Sequence, residues 1–146
     1  AGGIGSGDAM LAAMALGAEG VQIGTLFALS AESSASEAFK QRCLALDEGG
    51  TMLCLKKLSP TRLVRNGLFD KVAEAEARGA NAEELRDILG KAASKRGIFE
   101  GDTEQGELEI GQIASSVDAI RPAGEIVRQL VENFRKAQKD VAAIGF

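Results

Sequence analysis

Two clusters near the start of the chain have the residue types to grip a phosphate: Ala1-Gly2-Gly3-Ile4-Gly5-Ser6-Gly7-Asp8 and Gly24-Thr25. A phosphate dianion is held best by backbone N–H groups converging at a helix N-terminus, where the helix dipole also favours negative charge. Glycine lets the backbone approach closely and take positive φ. Gly2, Gly3, Gly5 and Gly7 supply such a loop, the segment from Asp8 supplies the helix, and Gly24-Thr25 adds further N–H groups and a hydroxyl. A glycine-rich connector that only turns the chain is the plainer alternative, and the second cluster weighs against it. The chain has no GxxxxGK[ST] sequence, and Gly3-x-Gly5-x-Gly7 is not the GxGxxG spacing of dinucleotide sites.

Other chemistry is sparse. The 146 residues contain no histidine, tyrosine or tryptophan, which excludes histidine general-base catalysis and histidine-ligated metal from these residues. Cys43 and Cys54 form no CxxC and are too few for a disulfide framework. They read as reduced, buried thiols of a cytoplasmic protein. The net charge of −4, with acids and bases interspersed, gives no footprint for nucleic acid and no cationic face for a membrane. No apolar run approaches the ~20 residues of a membrane span, and no segment has the form of a signal peptide.

The elements that must position the clusters follow from caps and periodicity. Ser6 and Asp8 start a helix over Asp8–Leu16 that Gly17 ends, and its small apolar residues predict a well-buried helix. Gly20-Val21-Gln22-Ile23-Gly24 reads as a short strand, so the opening has the spacing of a parallel β-turn-α-β unit. Ser34 or Ser36 caps a helix to about Leu46, and Thr51–Leu58 reads as a strand. Ser59-Pro60 predicts a helix start, and residues Leu68–Arg78 a helix stopped by Gly79. Asn81-Ala82-Glu83-Glu84 has capping-box form, opening a helix that carries Lys91, Lys95 and Arg96 in its last turns. Gly101–Gly106 is a loop, Glu107–Val117 becomes a short helix, and Pro122 opens a last helix with a stripe of Ile126, Val127, Leu130, Val131, Phe134 and Val141.

These patterns predict an α/β fold: the C-terminal part (last strands) of a TIM (β/α)8 barrel followed by a mostly helical region. The phosphate site of such barrels commonly follows the last two strands, and a whole barrel runs to about 250 residues. The predicted division places the end of the barrel at 1–48 and the helical region at 49–146.

At these residues the chain resembles the nitronate monooxygenase family, the 2-nitropropane dioxygenase-like flavoproteins that include FMN-dependent enoyl-acyl-carrier-protein reductases. The likeness lies in Ala1-Gly2-Gly3-Ile4, in Ala15-Leu16-Gly17-Ala18-Glu19-Gly20-Val21-Gln22-Ile23-Gly24-Thr25-Leu26-Phe27 and in Glu32-Ser33. It continues through Leu55–Leu63 (LKKLSPTRL) and Gly106–Ile113 (GELEIGQI). The resemblance implies FMN as cofactor, its phosphate held by the backbone at Gly2, Gly3, Gln22, Ile23, Gly24 and Thr25. It also implies that Gly111-Gln112 returns to the flavin side of the barrel, although a helix-start glycine and a surface glutamine would fit that pair equally well.

The family's catalytic histidine has no counterpart among these residues, so the resemblance places the catalytic group upstream. What it implies is an oxidoreductase acting on a small molecule, a nitronate or an enoyl thioester, with this chain inactive alone. A second resemblance, in Gly2-Gly3-Ile4 and Ser6-Gly7-Asp8, is to IMP dehydrogenase and GMP reductase barrels, whose phosphate belongs to a nucleotide substrate; no glycine-methionine flap follows Glu32-Ser33. The non-enzymatic alternative is a truncated half-barrel. Its open strand edges would drive self-association or pairing with a missing N-terminal half.

Overall fold

The computed structural model describes residues 1–145. Six α-helices and one β-hairpin make up the regular structure among them. In order these are α1 (Gly7–Ala15), α2 (Thr25–Ala28), α3 (Glu37–Leu44), β1 (Thr51–Cys54), β2 (Thr61–Val64), α4 (Gly67–Ala77), α5 (Ala82–Leu89) and α6 (Ala123–Ala142). A π-helical turn spans Lys95–Phe99 and a 3-10 turn spans Gln112–Ser116. The mixed helix and strand content fits the α/β class. The chain folds as two compact units, one formed by Ala1–Ser33 with Ala119–Phe146 and the other by Ser34–Asp118.

Unit 1 is built on α6. Both α1 and α2 pack against this helix. Gly7 sits buried where α1 meets it, so close that a Cβ would fall 2.7 Å from the Leu130 carbonyl oxygen and overlap the Phe134 nitrogen. Pro122 cannot cap α6 with a side chain. Instead the Glu32 carboxylate accepts a hydrogen bond from the Ala123 N–H at 2.8 Å, while the Ala31 N–H donates to the Arg121 carbonyl. A carboxylate there also meets the positive end of the helix dipole.

Three expectations fail in unit 1. Val21–Ile23 forms no regular element and belongs to no sheet, because a strand exists through its hydrogen-bonded neighbour and no described backbone pairs with this segment. Helix α1 is not well buried: only Gly7 is enclosed, and Leu16 just beyond the helix is 90% exposed. Its one described packing partner covers a single side. On α6 the enclosed residues are Ile126, Leu130 and Ala137, whereas Val127 and Val141 face solvent.

Unit 2 has a core of Cys54, Leu55, Leu63, Phe69, Val72, Ala75, Ala80 and Leu85. The hairpin is antiparallel, with Thr51 opposite Val64 and Cys54 opposite Thr61, and α4 packs beside α5. Pro60 does not start a helix. Its fixed φ and missing N–H are equally at home before a strand, and pairing with β1 decides for β2. Helix α5 stops at Leu89 with Gly90 at φ 66, short of Lys91, Lys95 and Arg96. Arg96 instead turns back to donate to the Lys91 and Leu89 carbonyls, holding the end of α5 from outside the helix.

Candidate functional site

The candidate cofactor residues fall in both units. Gly2 and Gly3 take φ 88 and 71, lie exposed, and have open space where a Cβ would be. Their N–H groups donate to no other backbone group among the described residues. The loop ends at Ser6, whose hydroxyl accepts from the Ala9 N–H and whose carbonyl accepts from Met10, fixing the first turn of α1. A loop with two successive positive-φ glycines running into a helix is a form that suits backbone phosphate recognition.

The second cluster is placed comparably. Gln22 is exposed and Ile23 half-buried on the irregular segment before α2; Gly24 caps the single turn of α2, and Thr25 is its first residue. Gly24 has φ −94 and no atom within 4 Å of a Cβ position, so conformation alone does not demand glycine there. The Gly24 and Thr25 carbonyls accept from Ala28 and Leu29, and among the described residues the N–H groups at the front of the turn meet no backbone acceptor. Residues 1–36 contain no lysine or arginine. An anion here would therefore be met by backbone dipoles, with no side-chain cation in either cluster. The helices that follow the two loops rest on α6.

Gly111 and Gln112 belong to unit 2. Gly111 precedes the 3-10 turn and Gln112 opens it, exposed, with the Gln112 carbonyl accepting from the Ser115 hydroxyl at 3.1 Å. Both cysteines are free and buried. Burial pushes the Cys43 thiol up to about 12 and Cys54 up to about 11, so neither is poised as a nucleophile. Among the described residues no cluster of three or more metal-ligating side chains occurs, and no helix is long and apolar enough to cross a membrane.

Residues 1–133 match the family model described as nitronate monooxygenase. The chain belongs to the nitronate monooxygenase family. It is similar to the nitronate monooxygenase of Neurospora crassa, 30% identical over 99% of this chain and 39% of that one. It is similar, at 29% identity over 90% of its length and 47% of the relative's, to a Mycobacterium tuberculosis protein named as an octahydro-indene carboxyl-CoA dehydrogenase. The structure of FabK from Thermotoga maritima superimposes with a TM-score of 0.88 at 32% identity, covering 97% of this chain and 45% of that one. The chain thus spans less than half the length of these relatives. Membership places it in a family of oxidoreductases.

Sequence reasoning missed the roles of two side chains, one in each unit. Glu32 lay inside the quoted Glu32-Ser33 match, but its role as a cap for a helix starting 91 residues later is tertiary. The one available signal was Pro122, which leaves that helix without a local cap. Arg62, within the Leu55–Leu63 stretch, is the other: its Nη1 donates to the Thr51 carbonyl and hydroxyl across the hairpin, a contact that spacing along the chain does not announce.

Proposed function

We propose that this chain carries the FMN phosphate-binding part of a nitronate monooxygenase-like oxidoreductase. The observation that supports this best is the pair of positive-φ glycines, Gly2 and Gly3, in the loop that leads into α1, whose N–H groups donate to no backbone acceptor among the described residues. FMN, when bound, supplies the redox chemistry, and the protein's contribution is binding, orientation and electrostatics. Gly2, Gly3, Gln22, Ile23, Gly24 and Thr25 would hold the phosphate through backbone N–H groups and the Thr25 hydroxyl, while Gly111-Gln112 would reach the flavin side. Residues 1–48 then form the end of a TIM barrel, and 49–146 the region appended to it. The catalytic group and most of the substrate pocket are assigned outside these 146 residues, so the partner is the remainder of a barrel or a second copy of the chain. The setting proposed is cytoplasmic, and the substrate a small nitronate.

The test is flavin retention. Gly3→Val and Gly24→Val, each made in a protein that contains the whole barrel, should lose the flavin absorbance of the purified protein. Gly24→Ala tightens the reading, since its Cβ has room and its φ is ordinary. Unchanged spectra in both valine variants would remove the phosphate assignment. The 146-residue chain with added FMN should consume no oxygen in the presence of propionate-3-nitronate; turnover would place the catalytic group within this chain. A thioester substrate is the second reading, favoured by the carboxyl-CoA named for one relative.

A further inference from the structure

Unit 2 contains a cavity of about 350 Å3 that shares only Gln112 with the flavin reading. Its wall combines Asp47 and Glu48 on the turn before β1, Arg62 on β2, and Gln112, Ser115 and Ser116 on the 3-10 turn. Arg62 is the unusual member. It is half-buried, and among the described residues no carboxylate lies within ion-pairing distance of it. Its Nη1 donates to the Thr51 carbonyl and hydroxyl at 3.2 and 3.3 Å, which fixes the planar head against the hairpin. A guanidinium carries five N–H donors, so most of its donors remain unspent.

A charge taken part-way out of water without a counter-charge is costly, and the cost is recovered when an anion binds. The surrounding groups suit that role. The Gln112 amide and the Ser115 and Ser116 hydroxyls can each donate, and the Arg62 fork matches the two oxygens of a carboxylate or phosphate. Asp47 and Glu48 are exposed on the turn. Their charges oppose an anion beside Arg62, and oppose a ligand with several negative groups most, so binding rests on the Arg62 fork and the neighbouring hydroxyl and amide donors outweighing them. The volume lies at the small end of ligand cavities, which run from about 300 to 1,000 Å3.

We infer that this cavity is a binding subsite for a single carboxylate or phosphate group of a small molecule, with Arg62 as its anchor. Only Gln112 is shared with the flavin reading, and the subsite stands without it.

The experiment titrates the full chain, without flavin, with inorganic phosphate, with acetate and with pyrophosphate, following amide and arginine Nε resonances by NMR. The subsite predicts saturable shifts at Arg62, Gln112, Ser115 and Ser116 with phosphate, acetate or both, and weaker binding of pyrophosphate. Arg62→Gln should raise the dissociation constant at least tenfold, the loss of a charged hydrogen-bonding anchor being about 1.5–3 kcal/mol. Glu48→Gln, on the exposed turn, should lower it several-fold. Should Arg62→Gln not fold, Gln112→Glu puts a negative charge against the ligand from the exposed 3-10 turn and should abolish the same shifts. No saturable shift with phosphate or acetate, or equal binding in a folded Arg62→Gln or Gln112→Glu variant, overturns the proposal. The Arg62 result is independent of flavin retention, which reads out at Gly3 and Gly24.

Discussion

At the scale of single residues, the acids of the Glu107–Glu109 segment show how environment sets charge. Glu109, exposed overall, forms an isolated antiparallel bridge with Leu63, and desolvation by the surrounding protein, with Glu107 beside it, pushes its carboxyl above the usual range. The folded state then binds this proton more tightly than the unfolded state. Stability is accordingly present below the ordinary carboxylate pKa and lost as pH rises through the folded value. Glu109→Gln should raise the melting temperature near pH 7, and the gain should vanish toward about pH 4, as followed by circular dichroism; a constant gain across that range would mean that charge is not the cause. The glycines divide by the same local logic. Gly2 and Gly3 were legible as special positions because positive φ is a property of the residue itself, and the structure gives both that conformation. Arg62 was not legible, since its meaning depends on Thr51 across a hairpin and on a turn fifty residues later.

At the scale of elements, the same division between local and tertiary signals decides what sequence could reveal. Ser6, Ser36 and Asn81 each cap the helix expected of them, and the Asn81–Glu84 capping box closes in both directions. Capping is settled within four residues, so the chain states it openly. The strand at Val21–Ile23, the start at Pro60 and the reach of α5 to Arg96 all depended on partners that sequence spacing does not name. Asn66 illustrates how much one cap can carry. Its side-chain oxygen accepts from the Phe69 N–H, and its Nδ2 donates to the Thr103 and Gly106 carbonyls at 2.9 Å each. It thereby joins the front of α4 to the loop at 101–106, where Gly106 sits directly against Gly97. Asn66→Asp keeps the cap but turns a carboxylate toward two carbonyls, whereas Asn66→Ala loses all three bonds. Both should cost about 2–4 kcal/mol by chemical denaturation, on the scale of a lost cap plus unsatisfied buried acceptors. A loss under about 1 kcal/mol in Asn66→Asp would show that the cap alone matters.

At the scale of the whole molecule, the two units differ in how the chain assembles them. Unit 2 is one continuous stretch, Ser34–Asp118, while unit 1 is drawn from both ends. Shortening the chain after Asp118 removes α6, so amides of α1 should lose hydrogen-exchange protection while those of Val72 and Leu85 keep theirs. Protected α1 amides in the shortened chain would show that α6 is not its support. This arrangement also bears on biosynthesis. Chains leave the ribosome from the N-terminus at about 5–20 residues per second, and contacts between distant segments wait until both have emerged. The glycine loop and α1 are made well before α6, the helix they pack against. Until α6 emerges, α1 lacks that support, and at nine residues it is too short to persist in water by itself. A ligand that needs the loop held in this form is therefore served only after α6 is made, which ties loading of the loop to a helix far away in the chain.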